Sequence, residues 1–543
     1  MDNAGYRSVI QSSLFRLAAL CAALVAAAAP PSARAARAVA TAAASYSQAT
    51  PDSARMRCAQ LMHLTLENTR VLAARTVSGS FTPPAGASNT PPGAPRTFEN
   101  LAPFCRVSAV IAPAIRFEVW LPLENWNGKF EGTGNGGYAG AIVYAELVDG
   151  VRRHYATANT DMGHQSTFPD PGSWALGHRE LVIDQGYLAQ HLTAERSKAI
   201  VRAFYGRRPR RSYFVGCSSG GWQGLTEAER YPHEYDGIVA GAPAMQVIHL
   251  HAATIWTNLA ANRIAPAKFH LVANAVLAQC DANDGVKDGL ITDPLSCHFS
   301  PAELACKAGQ NASTCLTPVE VKAFEDIYAG LHDASGEPIY PGWPRGTETA
   351  LLLTRQPFIA ALAASTFKDM VFQDPNWDYH HIDYDRAVRL GDARLGTILN
   401  NSSPDLSAFR RAGGKLILWH GWSDPLISTL HTLEYYEAVA AYFAGAHPSD
   451  QLREIADIQD FARLFLLPGV YHCGNGPGPD QFDALGALEG WVEHDVAPRR
   501  IVASHISHGI VTMTRPLCAY PLVAKYVGHG STSVAENFIC GMP

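Results

Sequence analysis

An apolar strand pattern, a glycine-rich turn and a helix pattern follow one another without a break in residues 211–230. The stretch reads RSYFVGCSSGGWQGLTEAER, and its turn, GCSSG, fits G-x-S-x-G. In that motif the glycines make room for a sharp turn, and the serine hydroxyl is held above the carboxyl end of a sheet. A bare G-x-S-x-G also occurs in ordinary glycine-rich turns, so the flanking strand and helix make the signal specific. Together they predict an α/β fold with Ser218 as a candidate nucleophile.

Strand and helix signals alternate through most of the chain. IRFEVWLPL, GKFEGT and YDGIVAG are strand patterns near the turn, and KLILWHG and ARLFLLPG come much later. Such alternation is typical of a mainly parallel sheet covered by helices. From 245 to 405 the rhythm is lost, and prolines, tryptophans and four cysteines accumulate. We predict an α/β-hydrolase fold in two parts, 54–244 and 406–543, with an inserted lid subdomain at 245–405.

Residues 1–38 have the pattern of a secretory signal peptide. Arg7 and Arg16 precede LAALCAALVAAAA, and small residues of the A-x-A type follow. The apolar run is shorter than a membrane span requires, which disfavours the alternative of a membrane anchor. No later stretch is apolar for long enough to span a bilayer. We expect a mature protein that is secreted or periplasmic and has no membrane partner.

Charge and cysteine content agree with an exported enzyme-sized chain. The net charge of −6 over 543 residues, without a basic cluster, gives no reason to expect a nucleic-acid partner. One of the eleven cysteines lies in the signal sequence, and an even number in an exported chain suggests disulfides. Three pairs lie near each other along the chain: Cys280/Cys297, Cys306/Cys315 and Cys518/Cys540. The cysteine spacing alone leaves the pairings open.

Two later strand ends supply the partners that a nucleophilic serine needs. A serine requires a base, the base requires an orienting acid, and on this fold the chain order is Ser, Asp or Glu, His. Asp424 follows the strand pattern LILWHG, and His472 follows LFLLPG. Taken alone, an aspartate before proline often caps a turn, and His472 is one of 21 histidines. His420 is a competing base, but it lies too close to Asp424 in sequence for separate loops. We predict Ser218, Asp424 and His472 as the triad.

Two of the cysteines stand directly beside the predicted triad. Cys217 precedes Ser218, and Cys473 follows His472. If the serine and the histidine meet, their neighbours come within bridging distance. The alternative is two unrelated buried cysteines. We predict a disulfide that ties the loop of the base to the loop of the nucleophile.

The motifs GCSSGG, HGWSDP and YHCGNGPG resemble the tannase and feruloyl esterase family over nearly all of the mature chain. The resemblance implies the triad named above and the Cys217–Cys473 bridge beside it. It also implies four further bridges: Cys58–Cys105, Cys280–Cys297, Cys306–Cys315 and Cys518–Cys540.

A second glycine-rich loop, GTGNGGYAG, resembles the first oxyanion loop of the family. An oxyanion needs two amide donors, one after the nucleophile and one from an early strand end. The amide of Ser219 lies at the start of a helix, and Gly136 or Gly137 would supply the other donor. A flexible surface turn is the alternative for the glycine loop.

The stretch CDANDGVKDGLITD combines closely spaced carboxylates with glycine turns. Carboxylate oxygens on such a loop suit calcium, although the spacing is not that of an EF-hand and an acidic solvated turn is the alternative. Family resemblance implies a structural calcium ion in the lid. Its side-chain ligands would be Asp281, Asp284 and Asp288, and its backbone ligands Val286 and Leu290.

The resemblance also implies the substrate class, which is an ester of an aromatic acid. We expect no organic cofactor. Feruloyl and galloyl esters are the main prediction, and mono-(2-hydroxyethyl) terephthalate is the narrower alternative. An inactive hydrolase-fold binding module is the alternative from another class. Trp343, Trp377 and Tyr379 could stack on a planar acid, although such residues more often belong to the core than to a pocket. A free carboxylate would need an arginine, for which the lid offers Arg345, Arg355 and Arg386.

Overall fold

The computed structural model describes residues 51–84, 97–166, 171–445 and 450–543. The predicted signal peptide, 1–38, lies outside the described residues. Within them, no helix has both the length and the apolar character needed to cross a lipid bilayer. The strands of the described residues are β1 Thr69–Phe81, β2 Phe98–Ile111, β3 Ile115–Pro122, β4 Lys129–Thr133, β5 Ala156–Thr160, β6 Arg211–Cys217, β7 Gly237–Gly241, β8 Gly330–His332, β9 Pro338–Pro341, β10 Lys415–Gly421, β11 Ala462–Leu467, β12 Arg500–Ser507, β13 Ile510–Cys518, β14 Val523–Tyr526 and β15 Phe538–Gly541.

One sheet organises the molecule, with its strands in the order β1-β2-β3-β5-β4-β6-β7-β10-β11. The pairs from β1 to β3, and β3 with β5, are antiparallel. The pairs from β5 through β4, β6, β7 and β10 to β11 are parallel. The carboxyl ends of parallel strands share one edge of a sheet, where open α/β sheets place their ligand sites. The loops after β4, β6, β10 and β11 therefore meet at that edge.

The strands in the middle of the sheet form because their sequences suit burial on both faces. β10 reads KLILWHG, and its Leu416, Ile417 and Leu418 are at most 1% exposed. Continuous apolar runs of this kind are typical of parallel strands covered on both sides. Each such side chain contributes roughly 1.5–3 kcal/mol through burial. The predicted strands IRFEVWLPL, GKFEGT, YDGIVAG, KLILWHG and ARLFLLPG correspond to β3, β4, β7, β10 and β11.

Helices cover the sheet and fill the segment between its two halves. The α-helices of the described residues are α1 Pro51–Gln60, α2 Tyr144–Arg152, α3 Arg179–Ile183, α4 Ala189–Tyr205, α5 Ser219–Arg230, α6 Val247–Ala261, α7 Pro266–Cys280, α8 Pro318–Ala329, α9 Pro357–Ser365, α10 Tyr384–Leu399, α11 Ser407–Arg411, α12 Thr429–Ala444, α13 Gln451–Ile458 and α14 Ala484–His494. Local signals set several boundaries. Thr317 and Glu320 form a capping box at α8, with a proline in its first turn, and the side chain of Asp383 caps α10. Such caps contribute about 1 kcal/mol each.

Residues 242–414, between β7 and β10, add no strand to the large sheet. The segment holds α6 to α11 and the β8–β9 hairpin, and the apolar side chains of its helices form a cluster of their own. Trp222 of α5 and Tyr138 of the glycine loop also belong to this cluster, so the segment packs against α5, which begins directly after Ser218, and against the glycine loop. The division at 245 and 405 into a lid subdomain stays a prediction.

Candidate active site

Ser218 lies in a sharp turn between β6 and α5, with a backbone φ of 65°. Such a conformation is costly for a non-glycine residue and is found mainly at functional sites. The amide of Ser218 donates to the carbonyl of Gly241 at 3.0 Å. A Cβ at Gly216 would stand 2.5 Å from the carbonyl of Gly220. The glycines of the motif are therefore required by the close approach of two backbone segments.

The hydroxyl, an imidazole and a carboxylate form a continuous hydrogen-bonded chain at this turn. His472 Nε2 is 2.9 Å from Ser218 Oγ, and His472 Nδ1 is 2.7 Å from Asp424 Oδ2. A carboxylate only accepts, so Nδ1 carries the proton that it donates to Asp424, and Nε2 accepts from the serine. Asp424 follows β10 and His472 follows β11. Ser218 follows β6, so the shared edge of the parallel strands brings together a serine and a histidine that are 254 positions apart.

Asp424 is fully buried and surrounded by donors. Its Oδ1 accepts from the amides of Leu426 and Ile427 at 2.8 and 3.1 Å. Its Oδ2 accepts from His472 and also from His420 Nε2 at 3.0 Å. Burial raises the pKa of Asp424, but attraction to His472 and the hydrogen bonds from both histidines outweigh burial and hold the pKa well below its usual value. The carboxylate stays ionised at neutral pH, as an orienting acid must.

A disulfide joins the two loops that carry the serine and the histidine. Cys217 and Cys473 are bonded, with their Cα atoms 5.9 Å apart and a sequence separation of 256. The structure also contains the bridges Cys58–Cys105, Cys280–Cys297, Cys306–Cys315 and Cys518–Cys540. These are the five pairs implied by the sequence resemblance.

The glycine loop after β4 lies against the start of α5. Ser219 Oγ donates to the carbonyl of Gly137 at 2.6 Å, and the amide of Asn135 donates to Gln223 Oε1 at 3.0 Å. Within the described part of the chain, the amides of Gly136 and Gly137 donate to no protein acceptor. Gly136 is exposed, and Gly137 has a φ of 54°. The glycine loop and the first turn of α5 therefore lie side by side at the same end of the sheet.

Tyr138, next to these glycines, connects the loop to the segment above it. Its hydroxyl contacts Thr366 Oγ1 and lies 3.2 Å from His251 Nδ1. Its carbonyl accepts from His164 Nε2 at 2.6 Å. Burial lowers the pKa of both His164 and His251 to about 4, so both are neutral at pH 7. No motif in the sequence marks these contacts, and the position of Tyr138 beside the glycines was the only available signal.

Comparison with known proteins identifies the chain. The model of the tannase and feruloyl esterase family matches residues 100–541. The chain belongs to this family. An uncharacterized esterase of Xanthomonas campestris is 36% identical over 90% of this chain and 92% of its own. The mono(2-hydroxyethyl) terephthalate hydrolase of Piscinibacter sakaiensis is 32% identical, over 81% of this chain and 85% of its own.

A solved relative confirms the fold prediction. Feruloyl esterase B from Aspergillus oryzae superposes with a TM-score of 0.81 at 28% identity, covering 90% of this chain and all of that one. The predicted α/β-hydrolase fold and the resemblance to the family are thereby confirmed. Membership in a family of esterases makes the protein a carboxylic ester hydrolase.

The three aromatic candidates for substrate stacking lie in different surroundings. Trp343 is 1% exposed in the core between the helices of residues 242–414. Trp377 packs its ring against Phe367 and Phe372, and Tyr379 stacks on His380. None of these ring contacts involves a triad residue, so the sequence-based choice of stacking residues gains no support from the packing.

The three arginine candidates make contacts of their own. Arg345 donates to the carbonyl of Phe299 and lies 4.1 Å from the ring centroid of Tyr328. Arg355 reaches Asn262 Oδ1 at 3.5 Å. Arg386 lies 5.9 Å from the ring centroid of Phe372. These partners all lie outside the triad.

The stretch CDANDGVKDGLITD, called the acidic loop below, begins at the last residue of α7. The Cys280–Cys297 disulfide links its first residue to the segment that follows it. Asp281 accepts from the amides of Asp288 and Gly289, and Asp284 accepts from the amide of Val286 and from Thr292 Oγ1 at 2.6 Å.

Asp288 accepts from the amide of Leu290 and pairs with the buried guanidinium of Arg515. Among the described residues, no three His, Cys, Asp or Glu side chains are gathered as a metal would require. The oxygen donors of the loop suit calcium by chemistry, but their arrangement here is that of a loop bonded to its own amides and to one arginine.

Proposed function

We propose that this protein is an exported serine carboxylesterase that hydrolyses esters of aromatic acids through an acyl-enzyme. The observation that carries the proposal is the hydrogen-bonded chain from Ser218 through His472 to Asp424 in a member of an esterase family. Export is supported by five disulfides, which persist in oxidising compartments, and by the leader-like N-terminal sequence.

In the first half-reaction, Ser218 Oγ attacks the ester carbonyl carbon while its proton moves to His472 Nε2. Asp424 holds the imidazole in the required tautomer and stabilises the imidazolium that forms. The carbonyl oxygen becomes an oxyanion. It accepts hydrogen bonds from the amide of Ser219 and from the amide of Gly136 or Gly137. His472 then returns the proton to the leaving oxygen, and the alcohol departs.

In the second half-reaction, water attacks the acyl-enzyme. His472 takes a proton from the water, and the same amides stabilise the second tetrahedral intermediate. Collapse of the intermediate breaks the bond to Ser218 Oγ, to which His472 returns the proton, and the carboxylic acid leaves. The enzyme ends in its starting protonation state.

Relatives named feruloyl esterase and mono(2-hydroxyethyl) terephthalate hydrolase support an aromatic acyl group. Feruloyl or galloyl esters are the preferred substrates in our proposal. A terephthalate monoester carries a free carboxylate and would need a cation in the pocket. The three lid arginines contact residues outside the triad, which favours acyl groups without a free carboxylate over a terephthalate monoester.

A fluorophosphonate probe and a substrate panel test the proposal. Ser218 should be labelled, and Ser218→Ala should abolish labelling and lower kcat on methyl ferulate by at least about 10³-fold at unchanged Tm. The panel compares kcat/KM for methyl ferulate, methyl gallate and mono-(2-hydroxyethyl) terephthalate. A folded protein that is neither labelled at Ser218 nor active on any panel ester would be a binding module instead.

Calcium binding by residues 281–290 is a separate proposal with a structural role only. It is supported by three carboxylates, Asp281, Asp284 and Asp288, on one glycine-turned loop with the carbonyls of Val286 and Leu290. Binding to the folded state alone should raise Tm with calcium concentration. The measurement is a melting series in EDTA, calcium and magnesium, with Asp281→Asn as the variant. Equal Tm values in EDTA and in millimolar calcium would refute calcium binding.

A further inference from the structure

A second histidine contacts the carboxylate of the triad from behind. His420 is the last residue but one of β10, and its imidazole is fully buried. Its Nε2 lies 3.0 Å from Asp424 Oδ2, the same oxygen that His472 Nδ1 reaches at 2.7 Å. Its other ring nitrogen, Nδ1, lies 2.8 Å from Thr432 Oγ1 of α12. One carboxylate oxygen is therefore shared by two imidazoles.

The positions of the protons determine which atom donates in each of these hydrogen bonds. An ionised carboxylate has no proton to donate, so both histidines donate to Oδ2. In a neutral His420 the proton is on Nε2, and Nδ1 accepts from the hydroxyl of Thr432. The threonine thus selects the tautomer of His420, as His420 in turn supports Asp424. Among the described residues, His431 of α12 and Tyr340 of β9 are further titratable groups close to His420 and Asp424.

Two consequences follow for the triad. Four donors, two on each oxygen, prevent a buried carboxylate from rotating, so Oδ2 stays aligned with His472 Nδ1. A second donor on Oδ2 also takes up part of the negative charge that stabilises the imidazolium of His472.

We propose that His420 is a positioning residue that orients Asp424 and sets the basicity of His472, with Thr432 fixing its tautomer. This inference rests on the proposed esterase function and adds a residue to it. His420 touches neither the ester nor the oxyanion, and it acts only through Asp424.

The test compares His420→Leu, which deletes the donor, with His420→Gln, whose amide nitrogen reaches a position near that of Nε2. In His420→Leu, kcat on methyl ferulate should fall about 10- to 100-fold with KM within about twofold. The acid limb of the kcat/KM profile should move to higher pH, since an Asp424 carboxylate with one donor fewer keeps more of its negative charge to stabilise the imidazolium. His420→Gln should recover most of kcat and return the acid limb toward the wild-type position.

A matched control is available in the lid. His249 Nε2 pairs with Asp392 at 2.9 Å and His249 Nδ1 with the carbonyl of Ile339, and neither partner belongs to the triad, so His249→Leu should leave the acid limb unchanged. If His420→Leu does not fold, Thr432→Val decides, with an expected several-fold loss of kcat and a shifted acid limb.

The positioning role would be overturned if Thr432→Val had the kinetics and the acid limb of the wild-type protein. It would also be overturned if His420→Gln were as impaired as His420→Leu. Failure of the esterase proposal is distinguishable, because the wild-type protein would then be inactive and unlabelled by fluorophosphonate.

Discussion

The triad and the acidic loop both hold buried or half-buried aspartates beside a disulfide, but they are assembled over different distances. The bridge at the triad joins residues 256 positions apart, and the bridge at the acidic loop joins residues 17 apart. Asp424 receives side-chain donors from two strand ends, whereas Asp281 and Asp284 accept from amides and a hydroxyl of their own loop.

The difference shows which features depend on the whole fold. Asp281 and Asp284 find their hydrogen-bond donors within the acidic loop, and only Asp288 pairs with a distant residue, Arg515. A triad built from three strand ends exists only once the parallel sheet has formed. Damage at the triad should therefore abolish chemistry, and the same damage at the loop should affect local stability alone.

The strongest test makes one chemical change at both sites. Asp424→Asn should lower kcat by about 10⁴-fold, because the amide favours the wrong tautomer of His472. Asp281→Asn should leave kcat within about threefold. Steady-state kinetics on methyl ferulate, with far-UV circular dichroism as the folding control, measures both. Similar losses in the two variants would contradict the distinction drawn between the regions.

Removal of one disulfide at a time compares what the two bridges contribute to stability and to activity. In the chain-entropy model, loss of Cys217–Cys473 costs about 5 kcal/mol of unfolding free energy and loss of Cys280–Cys297 about 3 kcal/mol. Denaturant unfolding of the two double-serine variants gives these values. The first variant should also lose kcat, since the loops of Ser218 and His472 are no longer tied, and the second should retain it. Full activity without the Cys217–Cys473 bridge would show that the sheet alone positions the pair.

Acid should weaken the contacts between the glycine loop and residues 242–414 at a higher pH than the one at which Asp424 loses its charge. His164 and His251 have a folded-state pKa of about 4, below the unfolded value near 6.5. Their neutral forms are favoured by folding, so this stability is complete above pH 6.5 and is lost as pH falls toward 4.

The loss amounts to at most about 3 kcal/mol for each histidine. Unfolding free energies at pH 7, 5.5 and 4 would show it, and His251→Asn should flatten the curve. A flat profile in the wild-type protein over this window would count against neutral, buried histidines at these contacts.

The smallest effect is expected from a single hydrogen bond in the acidic loop. Thr292→Val removes the hydroxyl that donates to Asp284 at 2.6 Å and should cost about 1–3 kcal/mol. Thermal unfolding measures the loss, and kcat should not change. Thr432→Val, the same substitution beside His420, provides the comparison and should lower kcat instead.

Features that depend on a local pattern of residues could be predicted without the structure. Apolar strand runs predicted β3, β4, β7, β10 and β11, because a strand buried on both faces requires a continuous apolar sequence. The turn around Ser218 was predictable because its glycines permit backbone contacts that a side chain would block.

Contacts between side chains from different elements could be assigned only after the fold was known. The sharing of Asp424 Oδ2 by His420 and His472, the connection of Tyr138 to Thr366 and His251, and the pairing of Arg515 with Asp288 have no local signature. His420 appeared in the sequence only as a rival base, because its distance of four residues from Asp424 says nothing about which ring nitrogen faces the carboxylate. Such contacts depend on strand order and helix packing, which sequence periodicity does not encode.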